Sequence, residues 1–503
     1  VRAAVWREEE AGDGLGVTVM EAYPRGSEFA LFDSTLGDAF IDDDEWSLST
    51  YYNIYPDAVG WSTAEELETA LPPGLLQSMH GEPIVPVDGD WTPPPPNFEQ
   101  REDDEMSVRI IFGTGALDQV AELVKENGSR CMILTGWNQA RIDPLVWELD
   151  EDLEAGNISM EVESDFAGSL NDLERLTLRA IEIGAQTIIG YGGGRTLDMA
   201  KAVSKLACLS PQDVVSNVNY FRQLKSLSES KNLLSAVKVQ VDAPTMPVIL
   251  CPTVPGVGAE TAHNVILGVP GDSVRINFDI ANIGAKGGLS ACVDPRVMWK
   301  RLPKEVKVYG GLCTVALAVE TFIGKNCSTT AELLVIDALE GAGKWVREVL
   351  YETGGIKATD NLAKASYLVG LARDESGLGP VACMSIALGH EVKFSPCVVR
   401  LMASYLIKIA GLGQDRGRLD KAAQIVLQSN DAKVEDLSRW MREIGTEALM
   451  PSLREAGATE DLLKVASLAA SYSIAAPARY LELSRPASNA MLYEVGCSAL
   501  DEY

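Results

Sequence analysis

Between Ser107 and Asp294 the chain alternates short β-branched runs with amphipathic helical stretches, and this alternation constrains the fold more than any other feature. The candidate strands are VRIIF (108–112), RCMILT (130–135), ISMEV (158–162), TIIGY (187–191) and PVILC (247–251). Helices such as Gly115–Asn127 and Leu170–Ile183 fit between them. A helix that crosses over between strands returns the chain to the same edge, so the strands run parallel and both faces of the sheet are covered. After about Asp294 the strand signal vanishes. From there to Tyr503 Ala, Leu and Val recur at helical spacing, as in Asp461–Ala475, and no internal repeat is visible.

At 503 residues the chain is too long for one compact core, and three segments are expected: 1–105, 106–294 and 295–503. The 46% hydrophobic and 23% charged content is that of a globular chain. No uninterrupted apolar run approaches the roughly 18–20 residues that span a bilayer, so no membrane insertion is expected. A formal charge of −29 excludes non-specific attraction to nucleic acid or anionic lipid. Nine cysteines without a CxxC pair point to buried free thiols in a reducing compartment, either cytoplasm or an organelle interior such as stroma or matrix. Val1 in place of Met fits a removed leader and fits a trimmed chain equally well.

The first segment differs from the rest in chemistry. Residues 1–105 hold 24 Asp and Glu against four Arg (Arg2, Arg7, Arg25, Arg101), a net charge of −20. Four consecutive prolines, Pro93 to Pro96, precede an acidic run and form a stiff extended linker. One short helix is expected, from Ser62 to Leu71, with Ser62 as N-cap and Glu65 three residues on. Acidity alone favours disorder, but Trp6, Trp46, Trp61, Trp91 and the YYNIY cluster at 51–55 favour a strap that buries its aromatic side chains. The expected dock is the body of the chain or a basic protein partner.

Two glycine-rich loops follow candidate strands. In IIGYGGGRTLDMAKAVS (188–204) a strand runs into Gly192, Gly193 and Gly194, and a helix starts near Thr196. Glycines there admit close approach of a phosphate, and the helix N-terminus offers N–H groups to it. The second loop is PTVPGVGAETAHNVI (252–266). In an open parallel sheet both lie at the carboxyl edge, where ligands bind. The fold class is therefore α/β: a Rossmann-like parallel-sheet nucleotide-binding domain, then an all-helical domain, with an acidic N-terminal extension.

Taken in order, these motifs resemble the iron-containing alcohol dehydrogenases and the related glycerol dehydrogenases. GGGRTLDMAK resembles that family's GGG-[SK]-xx-D-xx-K signature, and PTVPGVGAET its PT-x-x-G-T-G-S-E-x-T loop. VDPRVMWKRLP (293–303) is similar to its DP…LP junction, and FGTGAL (112–117) to its usual start. The resemblance implies a dehydroquinate-synthase-like fold, NADP or NAD in the cleft, and a divalent metal held by the helical domain. It gives pyrophosphate contacts to Gly192, Gly193 and Gly194, with Asp198 and Lys201 completing the loop and Thr253 beside the dinucleotide. Where NAD-preferring members carry a ribose-binding Asp, this chain has Gly136, with Arg141 nearby, which favours NADP unless Gly136 is only a turn residue.

At the metal the pattern departs. The family's Asp and His in GxDALTHAIE fall on Cys313 and Leu317, with Glu320 fixing the register. The next ligand His and the adjacent His fall on Ala382 and Ile386, with Leu388 and Gly389 fixing the register, and the last ligand His falls on Cys397. No metal is expected there. Among the three histidines, His390 is the one catalytic candidate in the helical segment, His263 either lines the cleft or caps a turn, and His80 has no partners in sequence. Two readings follow. One is a family member without metal-dependent redox catalysis, acting as a nucleotide-binding or assembly subunit whose residues 1–105 meet a protein partner, with homo-oligomerisation left open. The other is an active NAD(P)-dependent oxidoreductase of alcohols, aldehydes or polyols that uses other residues. Lyase or synthase chemistry is a third reading, and it too ordinarily needs a metal.

Overall fold

The computed structural model describes residues 4–10, 16–22, 108–136, 143–231, 236–237, 245–268, 276–279, 288–324, 326–388, 393–412, 416–472 and 485–500. Eleven strands occur among them: β1 (Ala4–Glu10), β2 (Gly16–Ala22), β3 (Val108–Phe112), β4 (Arg130–Thr135), β5 (Ser159–Glu163), β6 (Thr187–Gly192), β7 (Ala236–Val237), β8 (Val248–Pro252), β9 (Asn264–Leu267), β10 (Ile276–Asp279) and β11 (Leu289–Val293). The main sheet has the order β1-β2-β3-β11-β8-β6-β4-β5, and β7-β10-β9 form a small second sheet. From β3 to β5 every pairing is parallel, as crossover helices require.

Side chains alternate across this sheet, yet both sets are buried. Ile110, Met132, Ile188 and Leu250 pack on one face, whereas Ile111, Ile133, Ile189 and Ile249 pack on the other. Helices Val120–Asn127 and Pro144–Ala155 cover the second face. Helices Leu170–Glu182 and Gly194–Leu206 cover the first. The capping box at Ser169 starts the first of these: Ser169 Oγ accepts from Asp172 N at 2.9 Å, and Asp172 accepts from Ser169 N.

The N-terminal strands were not expected. β1 and β2 form an antiparallel pair, and β2 lies antiparallel on β3 with Thr18 opposite Phe112 and Ala22 opposite Val108. Their acidic residues lower strand propensity in sequence, but the open edge of β3 supplies backbone partners that propensity does not register. The expected helix Ser62–Leu71 lies outside the described residues.

Among the described residues every element from Pro295 to Leu500 is helical. Lys304–Phe322 runs through the middle of this body and is buried on nearly all sides. Phe394–Gly411 is long and apolar enough to cross a bilayer, but most of it is buried against the other helices. Asp294 fastens the junction. Its carboxylate accepts from Arg296 N at 2.9 Å, capping Pro295–Arg301, and from Gly115 N at 3.0 Å in the loop after β3.

Candidate functional site

The carboxyl ends of β6 and β8 meet the helical body around a cavity of about 350 Å³. Its floor is the glycine loop. Gly192 ends β6, and its backbone carbonyl accepts from Thr253 N at 3.0 Å, which joins the two sequence loops directly. A Cβ on Gly192 would stand 2.7 Å from Thr196, so only glycine fits. Gly193 and Gly194 line the cavity, and Cβ atoms there would point at Val254 and Val257 on its wall, filling the cradle. Gly193 O accepts from Thr196 N and Leu197 N, which leaves the leading amides of helix Gly194–Leu206 to an external acceptor. These features fit the pyrophosphate of a dinucleotide. Gly136 follows β4 one residue beyond the Thr135–Tyr191 pair, and so lies at the same sheet edge as Gly192.

Asp198 and Lys201 play different parts. Asp198 lines the cavity, accepts from Ile266 N at 3.0 Å and pairs with Lys201 at 2.7 Å. Burial pushes its carboxyl above the usual range, against the pull of Lys201. Lys201 is fully buried, and its ammonium donates to Ala262 O at 2.9 Å and Asn264 O at 2.7 Å. It fastens the end of the second loop to the nucleotide helix. Thr253 is buried behind the cavity wall.

The second loop is stapled to the helical body by backbone-level contacts. Ser366 Oγ accepts from Gly256 N at 2.9 Å and donates to Glu260 at 3.2 Å. Thr261 Oγ1 donates to Tyr367 O at 2.8 Å, and Thr314 Oγ1 donates to Gly256 O at 3.0 Å. Gly258, at φ +67°, lies so close to Gly370 that a Cβ would fall on its backbone. Burial raises Glu260 to about 7. His263 is buried rather than lining the cavity; its N–H donates to Asp374 Oδ1 at 2.7 Å and its ring pairs with the same carboxylate. His390, His80 and Arg141 lie outside the described residues.

The helical wall is where the family's metal would be held. Cys313, Leu317, Ala382 and Cys397 are all fully buried. Leu317 and Ala382 carry no donor atom, and burial pushes the Cys313 thiol up to about 12, far from the thiolate a metal needs. Among the described residues no group of three or more His, Cys, Asp or Glu is placed to hold an ion. These side chains do not fit a divalent metal. Glu320, which marks the register, accepts from Val381 N at 2.6 Å and so holds the start of helix Pro380–Ala387; burial raises it to about 7. Two charged groups reach the cavity from this wall: Arg373, on the last turn of Gly355–Ser376, and Lys393, at the start of Phe394–Gly411. Sequence reasoning missed Arg373, because a basic residue in a helix's last turn is ordinary.

A parallel sheet with a glycine-cradled helix start, facing an all-helical body across a cleft, is the architecture of the dehydroquinate-synthase-like fold. The iron-containing alcohol dehydrogenase family model matches residues 107–281. It is 29% identical to a sulfoacetaldehyde reductase of Bilophila wadsworthia, over 56% of this chain and 68% of the relative. It is 24% identical to an alcohol dehydrogenase of Thermococcus barophilus, over 71% of this chain and 89% of that one. Among solved structures, a sulfoacetaldehyde reductase from Bifidobacterium kashiwanohense in complex with NAD+ superposes with a TM-score of 0.60 at 16% identity, covering 78% of this chain and 97% of the other. A Red Sea brine pool archaeal alcohol dehydrogenase gives 0.64 at 17% identity, over 77% and 96%. At those identities the structural likeness establishes the fold.

Proposed function

We propose that this chain keeps the family's dinucleotide cleft and lacks its metal-dependent redox catalysis, serving as a nucleotide-binding or assembly subunit. The observation that carries this reading is the donor set: two of the four positions that the resemblance gives to metal ligands are Leu317 and Ala382, and the other two are the buried cysteines Cys313, whose thiol burial pushes up to about 12, and Cys397. In the family the metal polarises the alcohol oxygen so that hydride can leave carbon. Neither an aliphatic side chain nor a protonated thiol supplies that charge. The glycine loop binds pyrophosphate, Lys201 and Asp198 hold the loops in register, and Gly136 leaves room for the 2′-phosphate of NADP. Residues 1–105 offer an acidic surface to a basic partner.

Two measurements test this together. Elemental analysis of the purified chain finds less than stoichiometric iron or zinc, and calorimetry finds NADP binding. About one metal per chain, with aldehyde reduction by NADPH, establishes instead the second reading, an active oxidoreductase, which the named activities of the relatives favour. For the extension, native mass compares the full chain with a variant lacking residues 23–100. Loss of the higher-mass assembly supports the subunit role, and identical assembly removes it.

A further inference from the structure

Arg373 is 6% exposed and lines the cavity, so its guanidinium is a buried charge with one face open to a ligand. Its Nη1 donates to Val257 O at 3.0 Å. Its Nε is buried with no hydrogen-bond partner, and among the described residues the side chain forms no ion pair. The acidic groups around it are engaged elsewhere: Glu320 with Val381 N, Asp198 with Lys201 and Ile266 N, and neighbouring Asp374 with His263. Cys313 and Cys383 also lie within electrostatic range, and burial lowers the guanidinium below its ordinary range. Glu320 and Asp198 act on this cation from a distance without an ion-pair contact, so its removal from water is only partly repaid.

The guanidinium has one nitrogen left for a ligand. Nη1 is held by Val257 O and Nε is buried, so Nη2 is the donor that can meet an oxygen of a planar or tetrahedral oxyanion. Most other charge in the cavity has the same sign. Arg195 stands at the glycine loop, and Lys393 at the start of helix Phe394–Gly411, so three cations face one carboxylate, Asp198, in a chain of net charge −29. Leu378, Phe394 and Ile266 supply apolar walls for the remainder of a small molecule.

We propose that Arg373 forms an oxyanion site on the helical wall of the cleft, for the carboxylate, sulfonate or phosphoryl group of a small molecule distinct from the dinucleotide's pyrophosphate. The proposal rests on the reading that no metal occupies this wall. A guanidinium within electrostatic range of Cys313 suits this wall to holding an anion.

The test uses the full chain and inorganic phosphate as probe, with chloride at matched ionic strength as control, read by calorimetry and thermal melting. Phosphate is expected to bind, and Arg373→Gln to weaken it about tenfold or more, while Arg373→Lys, which keeps charge without the fork, recovers part of the affinity. Should Arg373→Gln fail to fold, Lys393→Gln at the exposed mouth carries the test and is expected to weaken phosphate about threefold. Gly193→Ala, whose Cβ stands 3.8 Å from Val254, separates the two anion sources: it weakens NADP binding and leaves phosphate binding intact. Loss of phosphate binding in Gly193→Ala, equal binding by wild type and Arg373→Gln, or no binding by the wild type each overturns the proposal. Phosphate binding on Arg373 without any NADP binding leaves the oxyanion site standing and removes the dinucleotide from the proposed function.

Discussion

The two walls of the cleft have kept different things. The nucleotide wall keeps its motif and the close backbone approaches that the motif serves: Gly192 against Thr196, and Thr253 N on Gly192 O. The helical wall carries Glu320 and Leu388, and its buried side chains at Cys313, Leu317, Ala382 and Cys397 are apolar or thiol. Backbone-level contacts between the walls are independent of those side chains. Ser366 and Thr314 hold the second loop through its main chain, and Thr261 of the loop reaches the main chain of the helical body, so none of these contacts depends on the side chains at Cys313, Leu317, Ala382 or Cys397. Packing and chemistry are separable here because different atoms carry them.

The largest expected effect attacks what the walls share. Gly258→Val adds a side chain at φ +67°, onto the backbone of Gly370, where nothing flexible can give way. A destabilisation above about 4 kcal/mol is expected, read as loss of folded protein or a collapsed melting transition. A normally folded variant would show that the loop is not fastened to the helices, and the separation drawn above would fail.

Next in size is Leu317→Ala, on the helical wall alone. Leu317 is fully buried in the central helix, so truncation leaves a cavity worth about 2–5 kcal/mol in chemical denaturation. Chelator added to the wild type should leave the same curve unmoved. A stable Leu317→Ala variant together with a chelator-sensitive wild type would mean that the wall is still a ligand site and the contrast is false.

How legible these walls were in sequence follows the same division. β3 and β4 coincide with their predicted runs, and β5, β6 and β8 shift by a residue at one or both ends, because long β-branched stretches between helices leave little choice. β11 went unseen: LSACV is short, its residues are small, and burial on both faces removes the alternation that marks a strand. The small sheet of β7, β9 and β10 was missed too, since β7 has two residues and the others four. In the site, glycines announce themselves by type. Arg373 does not, since burial at a helix C-terminus depends on what packs over it, and that comes from residues over a hundred positions away, such as Val257.

On the nucleotide wall alone, affinity should change where the fold does not. Gly193→Ala places its Cβ 3.8 Å from Val254, an ordinary contact, so the chain should melt normally. The same methyl enters the cradle, and NADP affinity should fall about tenfold by calorimetry, equivalent to about 1.4 kcal/mol. Unchanged affinity would place the pyrophosphate elsewhere.

The smallest effect is a pH dependence to which both walls contribute. Glu260, on the loop, and Glu320, on the helical side, are each raised to about 7, chiefly by burial. A carboxyl whose folded value exceeds its unfolded value of about 4.5 binds its proton more tightly in the native state. Stability is therefore greatest below about pH 4.5 as far as these groups are concerned, falls as pH rises from there to about 7, and is level above that. The melting midpoint should be higher at pH 5.5 than at pH 8. Glu320→Gln should flatten its share of the slope, on the order of 1 kcal/mol, provided the amide still accepts from Val381 N. The two glutamates differ in one respect that separates the walls. Arg373 is the leading charge that pulls Glu320 down, whereas the leading charge that pulls Glu260 down is Lys201. In Arg373→Gln the falling limb should thus extend to higher pH chiefly through Glu320, and Glu320→Gln in the same background should cancel most of the extension. An identical pH profile with and without the Arg373 charge would mean that the guanidinium faces away from Glu320, and the electrostatic centre assigned to the helical wall would be misplaced.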